Sequence, residues 1–235
     1  MSDDALRVLV DLRDLTIQKI RIGFGNRIMA IEGGRDQADE ATIDILDRYN
    51  YLFSELEDEL NKDISKLVAK YPIINKMMEV RGIGPTLAAK LVSLIDIRKA
   101  DSVSALWRYC GYGVQDGKRE RLVKGERAHF NQRAKTACYL IGSSFLKSRS
   151  PYRRVYDDAR QYYEANRKDW TKAHIHNAAL RKMVKVFLAH LWNEWRILEG
   201  LPTKPLYVNE KLGHTTEFLP EEFGWKTDEA VLETV

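Results

Sequence analysis

Apolar positions recur at helical spacing from the start of the chain. Leu6, Leu9, Val10, Ile17 and Ile20 share one side and predict a helix over residues 3–22. The glycines of "GFGN" at 23–26 and the pair Gly33-Gly34 predict that this helix breaks. Over 37–71, Ile45, Tyr49, Leu52, Leu56, Leu60, Ile64 and Leu67 follow one another in steps of three and four, with charges between them. That pattern predicts a long amphipathic helix of coiled-coil character. Such a helix is marginal alone, so it must pack on the N-terminal helix or on a second copy of the chain.

Pro72 opens a shorter unit that ends at Val80. Pro85 starts the next helix, running to Ile95, where its missing N–H costs nothing. Asp101 or Ser102 caps a third, which carries Ala105, Leu106, Trp107 and Tyr109. The stretch "GYGVQDGKRERLV", around Asp116-Gly117, reads as a small β-hairpin or extended loop. A helix over 128–147 turns Ala134, Ala137, Cys138, Leu140, Ile141 and Phe145 inward, and "KSRSP" is a turn. Helices at 152–167 and 172–199 follow; the second takes Leu180, Met183, Val184, Phe187, Leu188, Leu191, Trp192 and Trp195 as its core side. Residues 201–235 read as an acidic extended tail that Tyr207, Phe218, Phe223 and Trp225 can pack down.

Composition narrows the class. A hydrophobic share of 44% supports a core, and no apolar run approaches the roughly 18–20 residues of a membrane span. The acidic, amphipathic N-terminus is unlike a secretory signal, and two cysteines, Cys110 and Cys138, make neither a disulfide scaffold nor a zinc cluster. The expectation is a cytoplasmic, nucleoid-associated protein without a membrane partner. Net charge is +4 but unevenly spread: −5 over residues 1–70, +13 over 71–200 and −4 over 201–235. A basic centre between acidic ends points to a polyanion partner.

The segment "VRGIGPTLAAKL" gives that charge a candidate geometry. Hydrophobe-Gly-hydrophobe-Gly ahead of a helix holding Ala88 and Ala89 is the helix-hairpin-helix pattern. The glycines permit a tight turn, and the first amides of the following helix, at the positive end of its dipole, offer a seat for a phosphate. Arg81, Gly82, Ile83, Gly84, Thr86 and Lys90 form this first candidate DNA-binding group. A second is the loop with Lys118, Arg119, Arg121, Lys124 and Arg127, continued by Arg133 and Lys135. The third is Lys147, Arg149, Arg153 and Arg154, with Tyr152 interleaved. Arginine suits bidentate phosphate contact, and tyrosine can stack on a base. The ordinary alternatives are an αα-hairpin and solvated loops.

No catalytic or cofactor constellation emerges. His174 and His176 face apart on a helix, His190 reads as a core residue, and no metal-binding acid pair, Walker loop or dinucleotide fingerprint appears.

Taken in order, "VRGIGPTLAAKLVSLIDIRKADSVSALWRYCGYG", "RAKTACYLIGSSFL", "SPYRRVYDDAR" and "HIHNAALRKMVKVFLAHLW" resemble the C-terminal part of insertion-sequence transposases that pair a RuvC-like nuclease domain with a helix-hairpin-helix domain. The resemblance covers about residues 40–200. It implies DNA binding through the glycine hairpin and the basic loop. Two departures bear on catalysis. Residues 1–70 read as helical and leave no place for the RuvC-like domain with its four-acid metal site. The family's nucleophilic serine would fall near Asp116-Gly117, and no serine lies between Ser104 and Ser143.

The expected fold is mainly α, in three parts: a long N-terminal helical hairpin or coiled coil (1–71), a helix-hairpin-helix domain with a small β-hairpin or loop (72–200), and the acidic tail (201–235). The expected activity is non-catalytic, largely sequence-independent binding of duplex or branched DNA, with structured RNA as a further ligand class. No cofactor or metal is expected, and the N-terminal helices offer a homodimer contact. Two alternatives stand beside it: a remnant recombinase or nuclease subunit completed by a catalytic partner, and a protein–protein interaction module.

Overall fold

Helix follows helix from Asp4 to Leu198 in the computed structural model, which describes residues 4–115, 117–203 and 218–226. The chain separates into two units, residues 1–70 and 71–235.

In the first unit, α1 (Asp4–Asp11), a π-helical stretch (Leu12–Ile17) and α2 (Gln18–Glu32) form one continuous helical run. The break expected at "GFGN" does not occur. Phe24 stacks 5.8 Å from Phe53 and 6.4 Å from Tyr49 on the partner helix, and this packing outweighs the roughly 1 kcal/mol each glycine costs a helix. The chain turns instead at Gly33-Gly34, where Gly34 has φ +68°. Asp39 then caps α3 (Glu40–Val68) by accepting from the Thr42 amide at 2.8 Å.

Helix α3 runs antiparallel to α1 and α2, and the row its periodicity predicts is buried at Leu60 and Ile64 but not at its N-terminal members. Its buried positions are Leu46, Glu57, Leu60, Ile64 and Val68. Ile45, Tyr49, Leu52 and Leu56 remain 43–55% exposed. Glu57 explains the rotation. Its carboxylate accepts from Arg13 and Gln18 at 2.8 Å and from Arg21 at 2.6 Å, so a charged residue occupies the centre of the contact line. The apolar row is turned outward beside it.

The second unit is built around α9 (Lys172–Leu198), which packs against α4 (Pro72–Glu79), α6 (Val103–Tyr109), α7 (Gln132–Ser148) and α8 (Arg153–Asn166). The eight residues expected on its core side, from Leu180 to Trp195, are all buried. Gly142 lets α7 lie close: a Cβ there would sit 2.8 Å from Val184 Cγ2. Leu140, expected inward, is 39% exposed, because Ala137, Cys138 and Ile141 already fill the contact side. A buried ion pair, Lys76 Nζ to Glu194 Oε2 at 2.7 Å, ties α4 to α9. Trp192 and Arg196 donate to the Ala100 carbonyl, holding the connection before α6. Helix α5 (Pro85–Val92) joins α4 to α7.

Residues 218–226 belong to this core rather than to an extended tail. After the 3₁₀ turn Pro220–Phe223, Phe223 and Trp225 are buried, and the Trp225 indole donates to the Tyr152 hydroxyl at 2.7 Å. Phe218 is half-buried and accepts from His190 through its carbonyl, while Tyr207 lies outside the described residues. His190 is core, as expected, with Nδ1 2.5 Å from the Tyr152 hydroxyl and Nε2 2.7 Å from the Phe218 carbonyl. Burial pushes its pKa down to about 4. The only strand pair among the described residues is β1 (Val114–Gln115) with β2 (Lys118–Arg119), antiparallel, the small hairpin expected there. The helix caps fall at Ser102, Asn131 and Thr171.

Candidate nucleic-acid interface

The glycine turn is shaped by α7 beneath it. Gly82 has φ +103°, and a Cβ at that position would lie 2.4 Å from Ser148 Oγ. The Ser144 hydroxyl donates to the Gly82 carbonyl at 2.6 Å, fastening the turn to the last turns of α7. Ile83 is buried and anchors the loop. Gly84 differs from Gly82: it is the N-cap of α5, exposed, with φ −99° and nothing within 4 Å of an added Cβ. Thr86 and Lys90 are half-buried on α5. Arg81 is exposed beside the turn, and α7 ends at the same place with exposed Lys147 and Arg149, the latter in the left-handed region at φ 54°. No ion pair engages Arg81, Lys147 or Arg149 among the described residues.

The basic loop sits at the other end of α7. Gly111, at φ +72°, turns the chain against Phe130 and Lys135. Arg181 of α9 then holds the loop by donating to the carbonyls of Gly111, Tyr112 and Gly113 at 3.3, 2.5 and 2.7 Å. Asn131 caps α7 through the amides of Arg133 and Ala134, and its side-chain amide donates to the Tyr109 hydroxyl at 2.8 Å. Arg119, Arg121, Lys124 and Arg127 are exposed along the loop, and Arg133 follows on the first turn of α7. The Lys118 side chain lies outside the described residues.

Cations crowd this end. Lys135 Nζ lies 4.3 Å from the Phe130 ring centroid, and Lys185 Nζ lies 3.8 Å from that of Trp107. Burial, then repulsion from Arg181, lowers the pKa of Lys185 to about 8. For Lys135 the pKa is also lowered, by burial first and then by Arg181 and Arg119. Both shifts come first from withdrawal of the ammonium groups from water and second from the neighbouring arginines.

Helix α7 connects the two groups. Its 17 residues span about 25 Å, the length of about seven base pairs. It contains no Asp or Glu, and Gln132, Thr136, Tyr139, Leu140 and Lys147 lie exposed along it. The third group divides. Lys147 and Arg149 join the glycine turn, whereas Arg153 pairs with Asp157 at 3.3 Å and Arg154 pairs with Glu222 while covering Phe223 at 4.3 Å. Arg181, Lys185, Tyr139 and Asn177 belong to the loop end, although no short motif marks them. The one signal in the sequence for Arg181, Lys185 and Asn177 is that α9 carries no acid from Lys172 to Asn193.

No group of three metal-ligating side chains occurs among the described residues. His174 stacks on Trp170 at 4.0 Å, and His176 bonds the Tyr156 hydroxyl. No described helix is long and apolar enough to cross a membrane. The class defined by fold and site is a mainly α protein with exposed cations near both ends of one helix. No family profile, curated protein or solved structure matches the chain.

Proposed function

We propose that the chain is a non-catalytic protein that binds double-stranded DNA largely without regard to sequence, built on a domain of the insertion-sequence transposase type and belonging to a mobile element or phage. One observation carries the reading: the acid-free α7 places Arg81, Lys147 and Arg149 at one end and Arg119, Arg121, Lys124 and Arg127 at the other, about 25 Å apart. Cations at that separation can contact phosphates about seven base pairs apart on one duplex, and such contacts hold the backbone without reading bases. The sequence resemblance to transposase hairpin domains supports the same ligand.

The reading has the protein act in the cytoplasm on nucleoid DNA, and includes a homodimer through the first unit. Ile45, Leu52 and Leu56, with the outer side of Tyr49, form a coiled-coil row that is 43–55% exposed.

Binding of a fluorescent duplex across a salt titration tests the function. Affinity should fall with a log–log slope of roughly −4 to −6, and unrelated sequences should bind within a few-fold of one another. A flat salt response overturns the reading. Nicking of supercoiled or branched DNA by the pure protein with Mg²⁺ overturns its non-catalytic part. A strong preference for branched DNA or structured RNA replaces the ligand class.

A further inference from the structure

A cavity of about 460 Å³ opens between the loop after β2 and the outer faces of α7 and α9. Arg119, Arg121, Lys135 and Arg181 line it, with Tyr139 and Asn177, and Glu120 is its one carboxylate. The cavity is out of electrostatic balance in two ways. Lys135 and Arg181 are partly withdrawn from water, and burial makes both less favourable as cations; Arg181 and then Arg119 add to this at Lys135, and Arg119 adds to it at Arg181. At the same time Glu120 Oε2 is shut off from solvent and receives no hydrogen bond. A buried acceptor without a donor is destabilising. Excess positive charge beside a carboxylate with an unfilled acceptor is the complement of a ligand that carries an anion and a hydrogen-bond donor together, the Glu120 side chain turning its carboxylate toward the cavity to meet that donor.

A fully deprotonated inorganic anion such as sulfate meets only half of that description, since it would face the Glu120 carboxylate with nothing to donate. A nucleotide meets both halves. Its phosphate provides the anion, and its sugar hydroxyl or base amino group provides the donor. Tyr139, 48% exposed at the rim, offers a ring on which a base can stack. The volume lies within the range of sites that enclose small organic ligands. Arg181 contributes mainly charge, because three backbone carbonyls already occupy three of its five N–H donors.

We propose that this cavity holds one unpaired nucleotide of a nucleic-acid strand bound along α7, with the phosphate on Arg119, Arg121 and Lys135, a sugar or base donor on Glu120, and the base against Tyr139. The assignment rests on the nucleic-acid reading above and adds a preference to it: a duplex with an unpaired nucleotide should bind better than a fully paired one.

The test uses the full chain and two duplexes that differ by a single bulged nucleotide, with free deoxyadenosine 5′-monophosphate as a third probe. The bulged duplex should bind at least about fivefold more tightly than the paired one, in line with the energy of one stacked base. That ratio should fall to about one in Tyr139→Ala and in Glu120→Gln, each checked for native helix content. Because the readout is a ratio, a general change in surface charge cancels. A ratio near one in the unaltered protein, with paired duplex still bound, overturns the cavity assignment and leaves the duplex reading standing. Failure to bind either duplex overturns both. Free monophosphate bound as tightly as the bulged duplex overturns the strand assignment and gives the cavity to free nucleotides.

Discussion

Gly82 and Gly84 stand two positions apart and do different work. Gly82 combines φ +103° with a Cβ position 2.4 Å from Ser148 Oγ, so Gly82→Ala should cost roughly 1–3 kcal/mol and lower the melting temperature of the second unit. Gly84 adopts an ordinary extended conformation with open space around it, so Gly84→Val should leave stability within about 1 kcal/mol. A valine there occupies the approach to the α5 amides, and duplex affinity should fall several-fold. Unchanged affinity in folded Gly84→Val removes the glycine turn from the interface. His190 supplies a second test at this scale. Its Nε2–H donates to the Phe218 carbonyl, so Nδ1 accepts from Tyr152 and the ring is neutral. With a folded pKa near 4 against an ordinary value of 6.5, the unfolded chain binds more protons between those values. Stability should therefore be flat above about pH 7 and fall as pH drops from about 6.5 towards 4, by up to roughly 3 kcal/mol. Denaturant melts of His190→Gln that keep the full slope in this window would show that another group causes it.

Among the helices, α3 shows how one charged residue can set which side of a helix is buried. Glu57 gathers Arg13, Gln18 and Arg21 at the centre of the hairpin contact, and removing it leaves two arginines there without their carboxylate. Glu57→Ala should cost about 3 kcal/mol, measured as loss of helix signal from the first unit on heating. Leu52→Glu places a charge on the outward row instead. It should leave that melting unchanged while shifting the mass in sedimentation equilibrium from dimer to monomer. A monomeric unaltered protein overturns the homodimer. Helix existence and the Ser102 cap were legible in the sequence, because a cap acts on amides within three residues of itself, and Asp39, Asn131 and Thr171 act in the same way. The continuity of α2 through Gly23 and Gly25 was not legible, since Phe24 finds Tyr49 and Phe53 only once the hairpin closes.

For the whole molecule, the separation of the two cation groups makes the duplex proposal specific. On a duplex of about 16 base pairs, the pair Lys147→Gln, Arg149→Gln and the pair Arg121→Gln, Lys124→Gln should each flatten the salt slope by about 2. On a stem of about 5 base pairs, too short to span α7, only one pair should do so. Equal effects of both pairs on the short stem would mean that the groups do not share a duplex. The mainly α class, the hairpin turn and the concentration of basic charge at 71–200 were all present in the linear pattern, because periodicity, glycine and net charge are properties of residues close in sequence. Which cations remain available was decided by folding. Glu222, 68 residues along the chain, neutralises Arg154, while Arg181 arrives from α9 to hold a loop some 70 residues earlier and Lys185 joins it. Charge balance at a surface depends on distances through space, and only the packing of α7 and α9 sets those distances.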